Sequence, residues 1–183
     1  RLHGTFTGAP VADELVEVSD VGLPAWVVGA PFYRRYVPDQ PQDDTVVLFF
    51  HGGGWVVNSV ATHDNLCRRL AGRGNVEVLS LEYPLAPEYP YPAAINAGAQ
   101  WIAFLMAERS ISDETRIIVA GDSSGASVGL ALAQRSYMGD RISACISLYP
   151  AVAHYTRSFG SYGERGSGYN LTSNWMKWFW DYY

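Results

Sequence analysis

Gly121-Asp122-Ser123-Ser124-Gly125 sets a serine between two glycines, each two positions away, which is the spacing G-x-S-x-G. A serine on a sharp strand-to-helix turn is an exposed nucleophile. The flanking glycines are needed because side chains there would collide where strand and helix pack closely. The turn would project the Ser123 hydroxyl from a sheet edge, and the next helix would offer its first N–H groups and positive dipole end to a developing anion. Ser124 is set aside as nucleophile because the spacing centres on Ser123. An ordinary Gly/Ser turn is the plain alternative, and a phosphate loop is excluded because no G-x-x-x-x-G-K-[ST] or G-x-G-x-x-G follows a strand. His51-Gly52-Gly53-Gly54 supplies a second requirement, since successive glycines let backbone N–H groups approach a substrate oxygen unobstructed. The N–H groups of Gly53, Gly54 and Ser124 are therefore the expected oxyanion hole. His51 stands on that loop and precedes the serine, so it is read with Gly52 as support for the loop rather than as a catalytic base. Trp55 and Val56 are expected pocket walls, with core or cap packing as the other reading.

Those residues need elements to position them. Leu15–Ser19 and Tyr33–Val37 read as strands, and the continuous apolar run Thr45–Phe50 as a strand buried on both faces. Thr62 can cap a helix whose Leu66, Cys67, Leu70 and Ala71 share one face and which ends at Gly72. Val76–Leu81 reads as the next strand. The Pro-rich stretch Tyr83–Pro92 then leads into a helix from Ala93 to Glu108, a strand at Arg116–Ala120, a helix at Ser124–Gln134 and a strand at Ala144–Leu148. This alternation predicts an α/β fold: a mostly parallel sheet with helices on both faces and right-handed crossovers. Ligands in such sheets bind beyond the carboxyl ends of the strands, where residues 51–54, 82–92 and 121–125 all emerge.

Composition narrows the classes. A chain of 183 residues is one domain or a large piece of one, and 48% hydrophobic with 17% charged residues excludes disorder. The net charge of −5, without a basic run, gives no electrostatic grip on nucleic acid or anionic membrane. No apolar run reaches the ~18 residues of a membrane span. Cys67 and Cys145 are read as buried free thiols outside any metal-ligand spacing, so no metal is expected. The chain opens at Arg1 without a charged-then-apolar leader, which reads as a processed or trimmed start and leaves the compartment undecided, with the cytoplasm slightly favoured. Asn170-Leu171-Thr172 matches a glycosylation sequon, a signal common by chance.

Taken together, His51-Gly52-Gly53-Gly54 and Gly121–Gly125 resemble the signature of the hormone-sensitive-lipase-like esterases of the α/β-hydrolase fold. The segment Glu82-Tyr83-Pro84-Leu85-Ala86-Pro87-Glu88 with Pro90 and Pro92-Ala93-Ala94, and Thr62-His63-Asp64 with Cys67–Ala71, resemble further motifs of that family, and the likeness runs from about Tyr33 to Tyr183. The resemblance implies a serine carboxylester hydrolase acting on small-to-medium acyl esters, with Ser123 as nucleophile, Gly53, Gly54 and Ser124 as oxyanion donors, and no metal or organic cofactor. Pro84 in place of the usual Arg, Ala97 in place of a common Asp, and Ser124 and Ala126 around the serine depart from the pattern.

The larger departure concerns the triad, which in this fold runs Ser, then Asp or Glu, then His. After Ser123 come the acids Asp140, Glu164 and Asp181 and one histidine, His154. Glu164 and Asp181 follow His154, and Asp140 precedes the strand Ala144–Leu148, at the wrong edge for the site. His154 is read first as a loop or cap-contact histidine and only second as the base. The triad acid and histidine are therefore expected from a missing C-terminal segment or a second chain, and the sheet is expected to be incomplete at the C-terminus. Residues 1–150 are read as the hydrolase core and 151–183 as the start of a cap, whose aromatic run Trp175–Trp180 resembles the family's cap helix. Two other readings stay open: a non-catalytic small-molecule binder on the same fold, and an amide or carbamate hydrolase.

Overall fold

The computed structural model describes residues 16–42, 44–108, 111–135, 140–157 and 159–183. Strands β1 (Val16–Gly22) and β2 (Phe32–Pro38) form an antiparallel pair. β2 joins β4 (Glu77–Leu81) antiparallel, while β3 (Thr45–Phe50), β4, β5 (Arg116–Asp122) and β6 (Ile142–Leu148) run parallel. The order across the sheet is β1-β2-β4-β3-β5-β6. All six residues of the central strand β3 are buried, as its unbroken apolar run requires.

The two-residue period of β3 sorts its side chains between two clusters. Val47 and Phe49 pack with Cys67 and Ala71 of α1 (Asp64–Gly74) and with Tyr36 and Val78. Val46, Leu48 and Phe50 pack on the other face with Trp101, Ile102 and Leu105 of α2 (Ala93–Ala107) and with Val128 and Leu132 of α3 (Ser123–Ala133). Helices thus cover both faces, and the centre of the sheet is held rigidly beneath the loops that leave its carboxyl edge. Beyond β6 lie α4 (Gly160–Arg165) and α5 (Ser173–Tyr182); the Thr172 hydroxyl caps α5 by accepting the Trp175 N–H at 3.2 Å.

Several boundaries differ from the sequence expectation, each for a local reason. Leu15 lies outside the described residues, and β1 continues beyond Ser19 to Gly22, with Asp20 opposite Arg34 in register and bound to its guanidinium at 2.6 Å. Thr62 does not cap α1. Its hydroxyl closes the preceding turn, donating to Ser59 O at 2.8 Å and accepting Ser59 N–H at 3.1 Å, and His63 takes the N-cap position. α1 passes Gly72 and stops where Asn75 adopts the left-handed conformation, its N–H on Ala71 O. The turn expected between β5 and α3 occupies no residue of its own: β5 ends at Asp122 and α3 begins at Ser123. α4 has no counterpart among the predicted elements.

Candidate active site

The chain reverses from β5 into α3 within one residue because Ser123 adopts φ +52, a left-handed conformation that costs a residue with a β-carbon about 1–3 kcal/mol. Asp122 before it remains extended. The close crossing shows why glycines flank the serine. A β-carbon on Gly121 would stand 2.6 Å from Phe50 O and 2.7 Å from the Gly125 carbonyl carbon, and one on Gly125 would stand 2.6 Å from the Phe50 carbonyl carbon. The β3 terminus therefore lies directly against the start of α3, and the loop His51–Gly54 is delivered beside Ser123.

Two segments fasten that loop, and His63 braces one of them. The Asp122 carboxylate accepts the Gly52 N–H at 2.9 Å and lies 3.2 Å from His63 Nε2, both through Oδ1. One buried carboxylate thus ties the serine turn, the glycine loop and the start of α1 together. Burial pushes the Asp122 carboxyl up, but the hydrogen bond and charge of His63, with the Gly52 N–H, outweigh it and hold the group below its ordinary range. From the segment after β4, Tyr83 donates its hydroxyl to His51 O at 2.6 Å, Ala86 N–H donates to Trp55 O at 2.9 Å, and Glu82 Oε2 accepts the Val60 N–H at 2.8 Å.

His51 itself is fully buried and stacked on Tyr83, with ring centroids 4.3 Å apart. Burial, reinforced by the neighbouring His63, pushes its pKa down to about 4, so the ring is neutral near pH 7 and carries one proton. Its Nδ1 stands 2.8 Å from Gly52 O, a pure acceptor, so that nitrogen carries the proton and supports the loop.

A cavity of about 200 Å³ opens over these residues, lined by Gly53, Gly54, Ser123, Asn58, Met176 and Phe179 among others. Gly54 has φ +59, and a β-carbon there would meet the Phe179 ring, with Cδ2 at 2.8 Å. Trp55, at φ +62 and buried, also lines the cavity and stacks on Tyr183 at 4.0 Å with nearly parallel planes. Val56 does not line it; Val57 and Asn58 do, because the turn after Gly53, closed by Val56 and Val57 N–H on Gly53 O, carries the chain past Val56 and back to the cavity. α5 is thus the wall facing the glycine loop. A larger surface cleft of about 450 Å³ is lined by Val16, Glu17, Val37, Pro38, Asp39 and Pro41, with no serine, cysteine or histidine among these described residues.

Ser124 is buried in the first turn of α3. The three described histidines engage groups other than Ser123: His51 binds Gly52 O, His63 binds Asp122 and lies 2.9 Å from the Thr62 hydroxyl, and His154 pairs with Thr156. His154 also packs against Trp180 of α5, with centroids 5.1 Å apart. Asp181 accepts the Tyr155 hydroxyl at 3.1 Å and pairs with Lys177, and Glu164 is on α4. Asp140 is exposed before β6. The residues at this site that sequence reasoning passed over are His63, Asp122 and Asn58. Asp122 and His63 belong to the sequence motifs Gly121–Gly125 and Thr62-His63-Asp64, but their pairing joins positions far apart in the chain. Among the described residues no group of three His, Cys, Asp or Glu side chains could hold a metal ion, and no helix is long and apolar enough to cross a membrane.

The model of the alpha/beta hydrolase fold family matches residues 47–183. The chain is 33% identical to a carboxylic ester hydrolase, LipN, of Mycobacterium tuberculosis, over 90% of this chain and 46% of that protein. It is 34% identical to an ethyl acetate hydrolase of Pseudomonas putida, over 94% of this chain and 56% of that protein. The crystal structure of EstE1, a thermophilic carboxylesterase from a metagenomic library, superposes with a TM-score of 0.80 at 32% identity, covering 93% of this chain and 60% of that one. The chain spans about half the length of the curated relatives it matches. The serine turn, the glycine loop and the parallel sheet that brings them together accord with these matches, and the chain belongs to the α/β-hydrolase fold family, in its hormone-sensitive-lipase-like esterase branch.

Proposed function

We propose that this chain carries the nucleophile and oxyanion hole of a serine carboxylester hydrolase for short-to-medium acyl esters. The observation that carries the reading is Ser123, in a left-handed conformation at the head of α3, sharing one cavity with Gly53 and Gly54. Relatives named as carboxylic ester hydrolase and ethyl acetate hydrolase support the substrate class. An ester carbonyl would enter with its carbon at Ser123 Oγ and its oxygen toward the N–H groups of Gly53, Gly54 and Ser124. A histidine base takes the Ser123 proton as the Oγ–C bond forms, and the carbonyl electron pair moves onto the oxygen held by those amides. Collapse expels the alcohol, which leaves with the proton. Water then attacks the acyl-enzyme by the same route, releasing the acid and returning Ser123.

The base and its carboxylate partner come, in this proposal, from polypeptide outside this stretch, either a further segment of the same protein or a second chain. The reading rests on the described histidines being engaged elsewhere. In the same proposal residues 151–183 begin the cap, with α5 as the wall over the site. A second reading, a non-catalytic small-molecule binder, is favoured by the same observation that the described histidines are engaged away from Ser123. Fluorophosphonate labelling and p-nitrophenyl acetate turnover, run on the full-length protein with a Ser123→Ala control and an intact-mass measurement, test both. Label and turnover lost in the control support the hydrolase. A folded protein that neither labels nor turns over supports the binder.

A further inference from the structure

Gly52 is held at both of its peptide groups. Its N–H is bound by Asp122, and its carbonyl oxygen takes two donors, His51 Nδ1 at 2.8 Å and the Asn58 side-chain amide at 3.2 Å. Because a trans peptide points its C=O and the following N–H in opposite directions, whatever fixes Gly52 O also fixes the direction of the Gly53 N–H. The Gly53 carbonyl is separately pinned by the N–H groups of Val56 and Val57, at 3.1 and 3.0 Å, which orients the Gly54 N–H in the same manner.

Asn58 is unusual among these anchors. It adopts φ +74, a conformation that favours glycine, and asparagine pays least among the residues that have a side chain. It is exposed, follows the turn closed on Gly53 O, and lines the cavity with Ser123 and Gly53. The backbone at φ +74 would be served better by glycine; what the asparagine adds is its amide bond to Gly52 O. We propose that Asn58 is a positioning residue for the oxyanion hole: its side-chain amide, shared with His51 on Gly52 O, aims the Gly53 N–H at the developing oxyanion. This rests on the ester-hydrolase reading above.

The test is steady-state hydrolysis of p-nitrophenyl acetate by the full-length protein and its Asn58→Gly and Asn58→Asp variants, with thermal unfolding of each. Glycine keeps φ +74 and removes the amide; aspartate keeps the shape, removes the donor and sets a negative charge against Gly52 O. A donor that acts on the transition state alone lowers kcat and leaves KM in place. The expected result is a fall in kcat of about 3- to 10-fold for Asn58→Gly, with KM within about twofold of wild type and no loss of thermal stability. Asn58→Asp falls further in kcat. Inhibition by a trifluoromethyl ketone, which binds Ser123 as an oxyanion adduct, should weaken in parallel with kcat/KM. Wild-type turnover in both variants, or a rise in KM at constant kcat, overturns the assignment and leaves the hydrolase reading intact. Absence of turnover and labelling in the wild-type protein overturns the hydrolase reading and this inference with it.

Discussion

Replacing Asp122 by alanine removes the one acceptor shared by the serine turn, the glycine loop and α1. Two donors lose their partner, the Gly52 N–H at 2.9 Å and His63 Nε2 at 3.2 Å, and Asp122 and Gly52 are both buried. A buried donor left unsatisfied costs about 1–3 kcal/mol, so the pair puts the loss of stability at about 2–6 kcal/mol, toward the lower end because His63 is only partly buried. Asparagine behaves differently. Both contacts use Oδ1, so an asparagine with its oxygen in that place keeps both and gives up only the strengthening from the carboxylate charge, about 1 kcal/mol. The other oxygen faces the Tyr149 hydroxyl at 3.4 Å, and an amide NH₂ fits there by donating to it. In the active protein, Asp122→Ala releases the His51–Gly52 peptide and loosens the loop, while His51 and Asn58 still hold Gly52 O, so kcat should fall by up to about 10²-fold, the full effect of losing an oxyanion donor. Asp122→Asn should lose about 10-fold at most. Urea denaturation and p-nitrophenyl acetate kinetics on both variants measure the two quantities. Asparagine as damaging as alanine, or alanine as active as wild type, would refute the argument that this carboxylate acts through its two hydrogen bonds.

Three further outcomes are expected. His51, held at about 4 by burial against an ordinary 6.5, binds its proton more readily in the unfolded chain, so stability is present above about pH 6.5 and falls as pH drops toward 4, by up to about 3 kcal/mol; urea titrations between pH 4 and 8 should show this slope, and His51→Gln should flatten it. Ser123→Gly relieves the left-handed strain and should raise stability by about 1 kcal/mol while abolishing fluorophosphonate labelling; a variant less stable than wild type would contradict strain at that residue. Trp101 is fully buried, edge-on to Phe50 at 5.8 Å, and its indole nitrogen has no hydrogen-bond partner. Trp101→Ala should cost about 3–5 kcal/mol in thermal or urea unfolding and Trp101→Phe clearly less, since packing alone is lost.

Much of this molecule is decided by physics that acts within a few residues of the chain. A glycine on each side of Ser123 is a statement about steric clearance, and that clearance proved to lie against the Phe50 carbonyl. The unbroken apolar run Thr45–Phe50 demands cover on both faces, and both faces are covered. Local information of this kind reached the α/β class, the serine turn, the glycine loop and the order of the elements as far as β6. It failed where two nearby donors competed. Thr62 has the right chemistry for a helix cap, yet Ser59 is nearer and takes its hydroxyl, leaving His63 at the cap and free to reach Asp122. The same limit hid the bridge from Asp122 to Gly52 and the second donor on Gly52 O, because each joins segments that meet only when β3 and β5 lie side by side. It also hid the cavity wall, since only the docking of α5 on Trp55 brings Met176 and Phe179 over Ser123. Side-chain type and spacing determined which groups could do chemistry; the parallel register of the sheet and the packing of α5 decided which of them meet, because hydrogen bonds and cavities depend on distances that only the folded chain sets.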